Sequence, residues 1–223
     1  MTVGAPRPLF PLIRHLSVRV TPSLARMPVT ANQVTTASLL AGLGAVWFFF
    51  LGGYDRGIAG AGLLLVCYVL DNCDGEIARL KGQTSTFGMH YDTCVDWIVH
   101  TALFAALGLG WARTAGDEIW MWMGWIAAAG GTINYVLGLI LERHDNLVAE
   151  AEDAGSIEES DQPQTPFEWI IYIFRELTRA DFCFLVLALA AFDVLWVLLP
   201  AGAIGAQVYW ILLCLRRARK FHA

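Results

Sequence analysis

The chain has 223 residues, 57% of them hydrophobic and 16% charged, with a net charge of −5 and a mean hydropathy of +0.53. An average soluble domain is about 25% charged, so there are too few charged groups to cover a water-facing surface, and a soluble globular protein is excluded. Five cysteines without CxxC or CxxxC spacing exclude a zinc or disulfide framework, and nothing in the charge pattern suggests a nucleic-acid partner.

Residues 8–27 interleave Leu9, Phe10, Ile13, Leu16 and Leu24 with Arg14, Arg19 and Arg26, the pattern of a basic amphipathic helix lying among headgroups. Four prolines and four arginines before Met27 break any cleavable signal pattern. Apolar runs then predict six spans, at about 33–52, 56–70, 88–111, 119–141, 181–199 and 201–215, with Pro200 in a tight turn between the last two. Eight acids between Glu142 and Asp161 mark a solvated acidic loop near 142–166, and residues 167–179 read as an interfacial helix. The expected fold is therefore all-α and integral to a membrane, with six transmembrane helices. An interfacial segment over residues 1–30 precedes the six-span domain at 31–223. With six spans, every lysine and arginine except Arg56 and Arg113 falls on one side. The positive-inside rule places that side, and both termini, in the cytoplasm, so a multi-pass protein of the cytoplasmic membrane is expected.

Four aspartates carry the chemistry. Asp71 and Asp74 are i,i+3 neighbours, and Asp92 and Asp96 are i,i+4 neighbours, so each helix presents a carboxylate pair on one face. The short link over Lys81-Gly82-Gln83 makes the two helices antiparallel, and the pairs converge. Four like charges near lipid need compensation; an Asp at the helix centre costs about 2.5–3.5 kcal/mol on translocon scales. Mg²⁺ or Mn²⁺, hard cations that take carboxylate and phosphate oxygens, would supply it. Gly75 and Gly88 leave room for a ligand against the backbone, and Arg79 is placed to meet a phosphate.

Written out, Asp71-x2-Asp74-Gly75-x2-Ala78-Arg79-x8-Gly88-x3-Asp92-x3-Asp96 resembles the full signature of the CDP-alcohol phosphotransferase family. The resemblance implies a transferase of substituted phosphate groups, moving a phosphoryl-linked group from a CDP-alcohol donor to an alcohol acceptor in phospholipid or related phosphodiester synthesis. It implies that Asp71, Asp74 and Asp92 are metal ligands for two Mg²⁺ or Mn²⁺ ions. Asp96, close to the same ions, is implied to be the base. Gly75, Ala78, Arg79, Ser85 and Gly88 would border the CDP moiety, and the chain would pair as a homodimer among membrane lipids. The Pro28–Thr35 segment is similar to the family's Thr-Pro-Asn-x-x-Thr element, with Ala31 in place of its proline. Asn32 and Thr35 are thus nucleotide-contact candidates, with a helix N-cap as the alternative for Asn32.

Arg143, Arg175 and Arg179 are either contacts for a phosphate-bearing acceptor or anchors at span ends. Tyr135 has no arginine four residues on, unlike members that use inositol phosphate or glycerol phosphate. The Arg179-Ala180-Asp181-Phe182 run is similar to the branch that makes di-inositol phosphate compounds. Asp193, in mid-span five, reads as a packing or dimer contact, Gln207 as interhelical glue, and His90 as no ligand. Two other classes compete: a membrane prenyltransferase, whose aspartate motifs stand further apart, and an ion-coupled transporter, which predicts an internal repeat.

Overall fold

A computed structural model describes residues 11–149 and 180–221, and among these every regular element is helical. The helices are α1 (Ile13–Ala25), α2 (Ala31–Leu51), α3 (Tyr54–Lys81), α4 (Thr86–Ala115), α5 (Ile119–Ala149), α6 (Phe182–Ala191) and α7 (Leu198–Phe221), with a 3₁₀ turn at Leu195–Val197. Among the described residues four helical stretches are long and apolar enough to cross a membrane: Ala31–Leu51, Tyr54–Leu80, Thr86–Ala115 and Ile119–Leu141. The two expected C-terminal spans appear as shorter apolar helices, Phe182–Ala191 and Leu195–Ile211.

Tight turns stack these helices as neighbours. Gly52 and Gly53, both at positive φ, join α2 to α3, and left-handed Gly82 and Gly116 end α3 and α4. α2 packs on α3 and α4, α4 on α5, and α5 on α7, while α6 lies against α3. The α4–α5 contact is a small-residue crossing. A methyl group on Gly108 would lie 2.7 Å from the Trp120 carbonyl oxygen and 2.9 Å from Gly124 Cα. With no hydrophobic force between helices in lipid, such backbone approach is what association relies on. Asn134 Nδ2 donates to the Ala206 carbonyl and Gln207 Nε2 to the Ile126 carbonyl, so Gln207 does join helices as expected.

The structure bears out the helical aspartate pair and departs from the sequence reading in four places. α3 runs past the apolar stretch that ends at Leu70 and continues to Lys81, so Asp71 and Asp74 are helical neighbours as expected. α5 likewise continues to Ala149, into the start of the acidic stretch; the remainder of that loop lies outside the described residues. The cap of α2 is Thr30, not Asn32. Thr30 Oγ1 accepts from the Gln33 amide while Gln33 Oε1 accepts from the Thr30 amide, a reciprocal capping box.

The break near the C-terminus falls at Asp193 (φ 57°) instead of Pro200. Aspartate tolerates the left-handed region better than most residues, whereas Pro200 is third in α7, where its missing N–H has no intrahelical partner to lose. Asp193 is therefore exposed at a helix break and not in mid-span. Tyr54 Oη donates to the Ala191 carbonyl, which puts that break beside the start of α3, the end remote from the aspartates.

The last departure concerns α1, whose buried stripe is Ile13, Ser17 and Thr21, while Arg14, Arg19 and Arg26 stay exposed. The two hydroxyls face a carboxylate. Ser17 Oγ donates to Glu76 Oε1 at 2.8 Å and Thr21 Oγ1 to Glu76 Oε2 at 2.6 Å, so each oxygen of this buried acid on α3 has a donor. At the other end of α1, Asp181 is fully buried and accepts from the amides of Leu12 (2.7 Å) and Ile13 (2.8 Å). A carboxylate there satisfies orphan first-turn donors and meets the positive end of the helix dipole.

Candidate metal and nucleotide site

The end of α3 and the start of α4 build the site. Gly82 closes α3 in the left-handed conformation, Ser85 Oγ accepts from the Gly88 amide at 3.0 Å to open α4, and only Gln83 and Thr84 lie between those caps. Two further ties lock this link to its surroundings. Gln83 Oε1 accepts from the Ala31 amide at 3.0 Å, and Lys81 Nζ donates to the carbonyls of Met27 and Val29. The start of α2 is thereby held beside the start of α4.

Three of the four aspartates converge. Asp71, Asp74 and Asp92 each offer a carboxylate oxygen, and these oxygens all lie within 4.8 Å of one another. Asp74 is buried, and Thr35 Oγ1 donates to its Oδ2 at 2.5 Å. Asp92 Oδ1 is buried with no hydrogen-bond partner. A buried carboxylate oxygen left without a donor costs free energy unless something else meets it. Three clustered carboxylates, one of them so exposed to that cost, fit a hard divalent cation. Asp96 stands apart: its side chain is exposed and lies outside the 4.8 Å trio, so the structure groups three of the four aspartates.

Next to the trio opens a cavity of about 620 Å³. All seven expected nucleotide contacts line it: Asn32, Thr35, Gly75, Ala78, Arg79, Ser85 and Gly88, together with Asp74 and Asp92. The glycines matter through space. A methyl on Gly88 would sit 3.2 Å from Ser85 Oγ and 3.3 Å from Asn32 Oδ1, and one on Gly75 would come 3.5 Å from the Arg79 guanidinium. Gln83, Thr84, Thr86 and Met89 also line the cavity and were not singled out from sequence. Gln83, Thr84 and Thr86 fall in the eight-residue interval between Arg79 and Gly88, where only Ser85 stood out, and Met89 directly follows Gly88.

Thr35 bridges both parts of the site, lining the cavity and holding Asp74. Partners that orient a metal ligand contribute about 10–100-fold in affinity or activity. Thr35→Val keeps the shape of the side chain and deletes the hydroxyl, and is expected to weaken Mn²⁺ binding about tenfold or more in a titration followed by electron paramagnetic resonance. Unchanged affinity would show that Asp74 is held by other means. The side chains of Arg143, Arg175 and Arg179 lie outside the described residues, and His90 is exposed on α4.

A family model described as CDP-alcohol phosphatidyltransferase matches residues 28–213. The chain belongs to that family. Membership, with the apolar helices above, makes this a multi-pass membrane protein. It is 33% identical over 118 residues to the "Bifunctional IPC transferase and DIPP synthase" of Aquifex aeolicus, covering 53% of this chain and 25% of that one. It is 31% identical over 100 residues to the archaetidylinositol phosphate synthase of Pyrococcus horikoshii, covering 45% of this chain and 52% of that one. The chain thus spans about a quarter and about half the length of these two curated relatives. Among solved structures, the phosphatidylinositol phosphate synthase of Mycobacterium tuberculosis with CDP-DAG bound has a TM-score of 0.53 at 23% identity, covering 88% of this chain and 91% of that one. That likeness extends the family fold over nearly the whole chain.

Proposed function

We propose that this chain is a membrane transferase that moves a substituted phosphate group from a CDP-alcohol to an acceptor hydroxyl and releases CMP. The observation that carries the reading is the convergence of Asp71, Asp74 and Asp92 beside a cavity lined by Arg79, Asn32 and Ser85. The three aspartates hold divalent metal, Mg²⁺ or Mn²⁺ and two ions in this reading, which would neutralise charge on the pyrophosphate and on the departing CMP. Asn32, Ser85 and Arg79 orient the nucleotide end of the donor, with Arg79 as the phosphate contact. Gly75 and Gly88 admit the donor close to the backbone. Asp96, outside the trio, takes the proton from the acceptor hydroxyl.

In the same reading residues 31–223 form one six-span domain behind a juxtamembrane segment at 1–30, with both termini on the cytoplasmic side of the cell membrane, and the chain works as a homodimer. The relatives' names share inositol phosphate chemistry, which makes inositol-type alcohols the first acceptors to try. Arg143, Arg175 and Arg179 are the residues to test for holding a phosphate-bearing acceptor.

The test uses purified protein in detergent with CDP-diacylglycerol or soluble CDP-alcohols, Mg²⁺ or Mn²⁺, and a panel of acceptors. The expected result is CMP release that requires metal and a matching acceptor. Silence with every donor, together with ion flux in liposomes, would overturn the reading.

A further inference from the structure

One turn deeper than the aspartates, two polar side chains join α3 to α4. Tyr68 precedes Asp71 by three positions and His100 follows Asp96 by four, so each lies on the face of its helix that carries an aspartate. Tyr68 Oη is 2.6 Å from His100 Nε2, and His100 Nδ1 is 2.8 Å from the carbonyl oxygen of Asp96. A carbonyl can only accept, so Nδ1 carries a proton toward Asp96, and Nε2 shares its hydrogen bond with the Tyr68 hydroxyl. The chain of bonds thus runs from Tyr68 through the imidazole to the backbone of Asp96. Tyr68 is buried, and its ring meets the imidazole edge-on at 5.8 Å while Phe182 of α6 closes the other side at 6.0 Å. The Tyr68–His100 bond is partly buried, and the His100–Asp96 bond lies at an exposed position.

Asp96 is the aspartate that needs such a device. It stands outside the carboxylate trio, and among the described residues no hydrogen bond reaches its side chain, so its position depends on how its stretch of α4 is held against α3. The tether ends on its own carbonyl. We propose that Tyr68 and His100 act as positioning residues for Asp96, setting the rotation and separation of α4 at the turn where the acceptor proton is removed. The proposal rests on the transferase reading above. It differs from plain packing in what it predicts: loss of the bonds should disturb Asp96 and spare the trio.

The experiment measures CMP release and Mn²⁺ binding in parallel on the full chain in detergent. Activity of the unaltered protein comes first; its absence would count against the transferase reading and not against the tether. Tyr68→Phe keeps the ring and removes the hydroxyl, and is expected to lower kcat by about 10–100-fold, as for displacement of a reacting group by a fraction of an ångström to 1 Å. Donor KM and Mn²⁺ affinity should stay within twofold. His100→Leu should match it, the double variant should be no worse than either single, since the pair acts as one unit, and His100→Gln, able to donate and accept, should recover most of the rate. Unchanged kcat in Tyr68→Phe would overturn the proposal. So would a parallel loss of Mn²⁺ affinity, which marks a general loosening of the bundle. Should His100→Leu not fold, Tyr68→Phe decides alone.

Discussion

Asp96→Asn is expected to lower kcat for CMP release by about 10²–10⁴-fold, the usual contribution of a positioned general base, while Mn²⁺ binding stays within a few-fold. Asparagine has the shape of aspartate and keeps a carbonyl oxygen, so the backbone and the tether through His100 are undisturbed. What it loses is basicity. The contrast with the trio makes the experiment decisive. Asp92→Asn removes a charge from the clustered trio, at a residue whose Oδ1 is buried without a donor, and should lose metal and activity together. Metal binding read directly, without turnover, separates the two behaviours. Equal loss of Mn²⁺ affinity in both variants would make Asp96 a fourth ligand and leave the base to be found elsewhere.

Asp181→Ala is expected to destabilise the protein by about 3 kcal/mol. The carboxylate accepts two backbone amides from the start of α1 and is fully buried. Hydrogen bonds to a charged group contribute about 1.5–3 kcal/mol each, and the deletion leaves two donors without a partner. For a chain of this length each kcal/mol moves the midpoint by roughly 2–4 °C, so thermal unfolding in detergent should show a drop of about 6–12 °C. Asp181→Asn retains a neutral acceptor and should fall between the two. A midpoint shift under 2 °C for the alanine variant would mean that α1 is held through Glu76 alone.

The carboxylate signature was legible because its spacing is a helical spacing: i,i+3 and i,i+4 pairs share a face whatever surrounds them. The cavity lining was legible for a related reason, since the contacts lie within two turns of those aspartates or at the start of α2. The division of the aspartates into a trio and a separate Asp96 was not, because helix rotation and side-chain direction decide it. Glu76 occupied a free position of the signature, and only its neighbours Ser17 and Thr21 reveal that it anchors α1. Asp181 was quoted as part of a motif, but its partners stand 168 and 169 positions away, beyond any local pattern. Pro200 misled as a turn signal because proline costs nothing in the first turn of a helix.

The Asp181 closure also sets an order of events during synthesis. The amides of Leu12 and Ile13 leave the ribosome 168 or more residues before their acceptor. At about 5–20 residues per second that is roughly 10–30 s. All four aspartates have been made well before then, yet the helix docked on Glu76 beside Asp74 still has an open first turn. Assembly of the aspartate-bearing end therefore finishes only when a late part of the chain reaches back to α1.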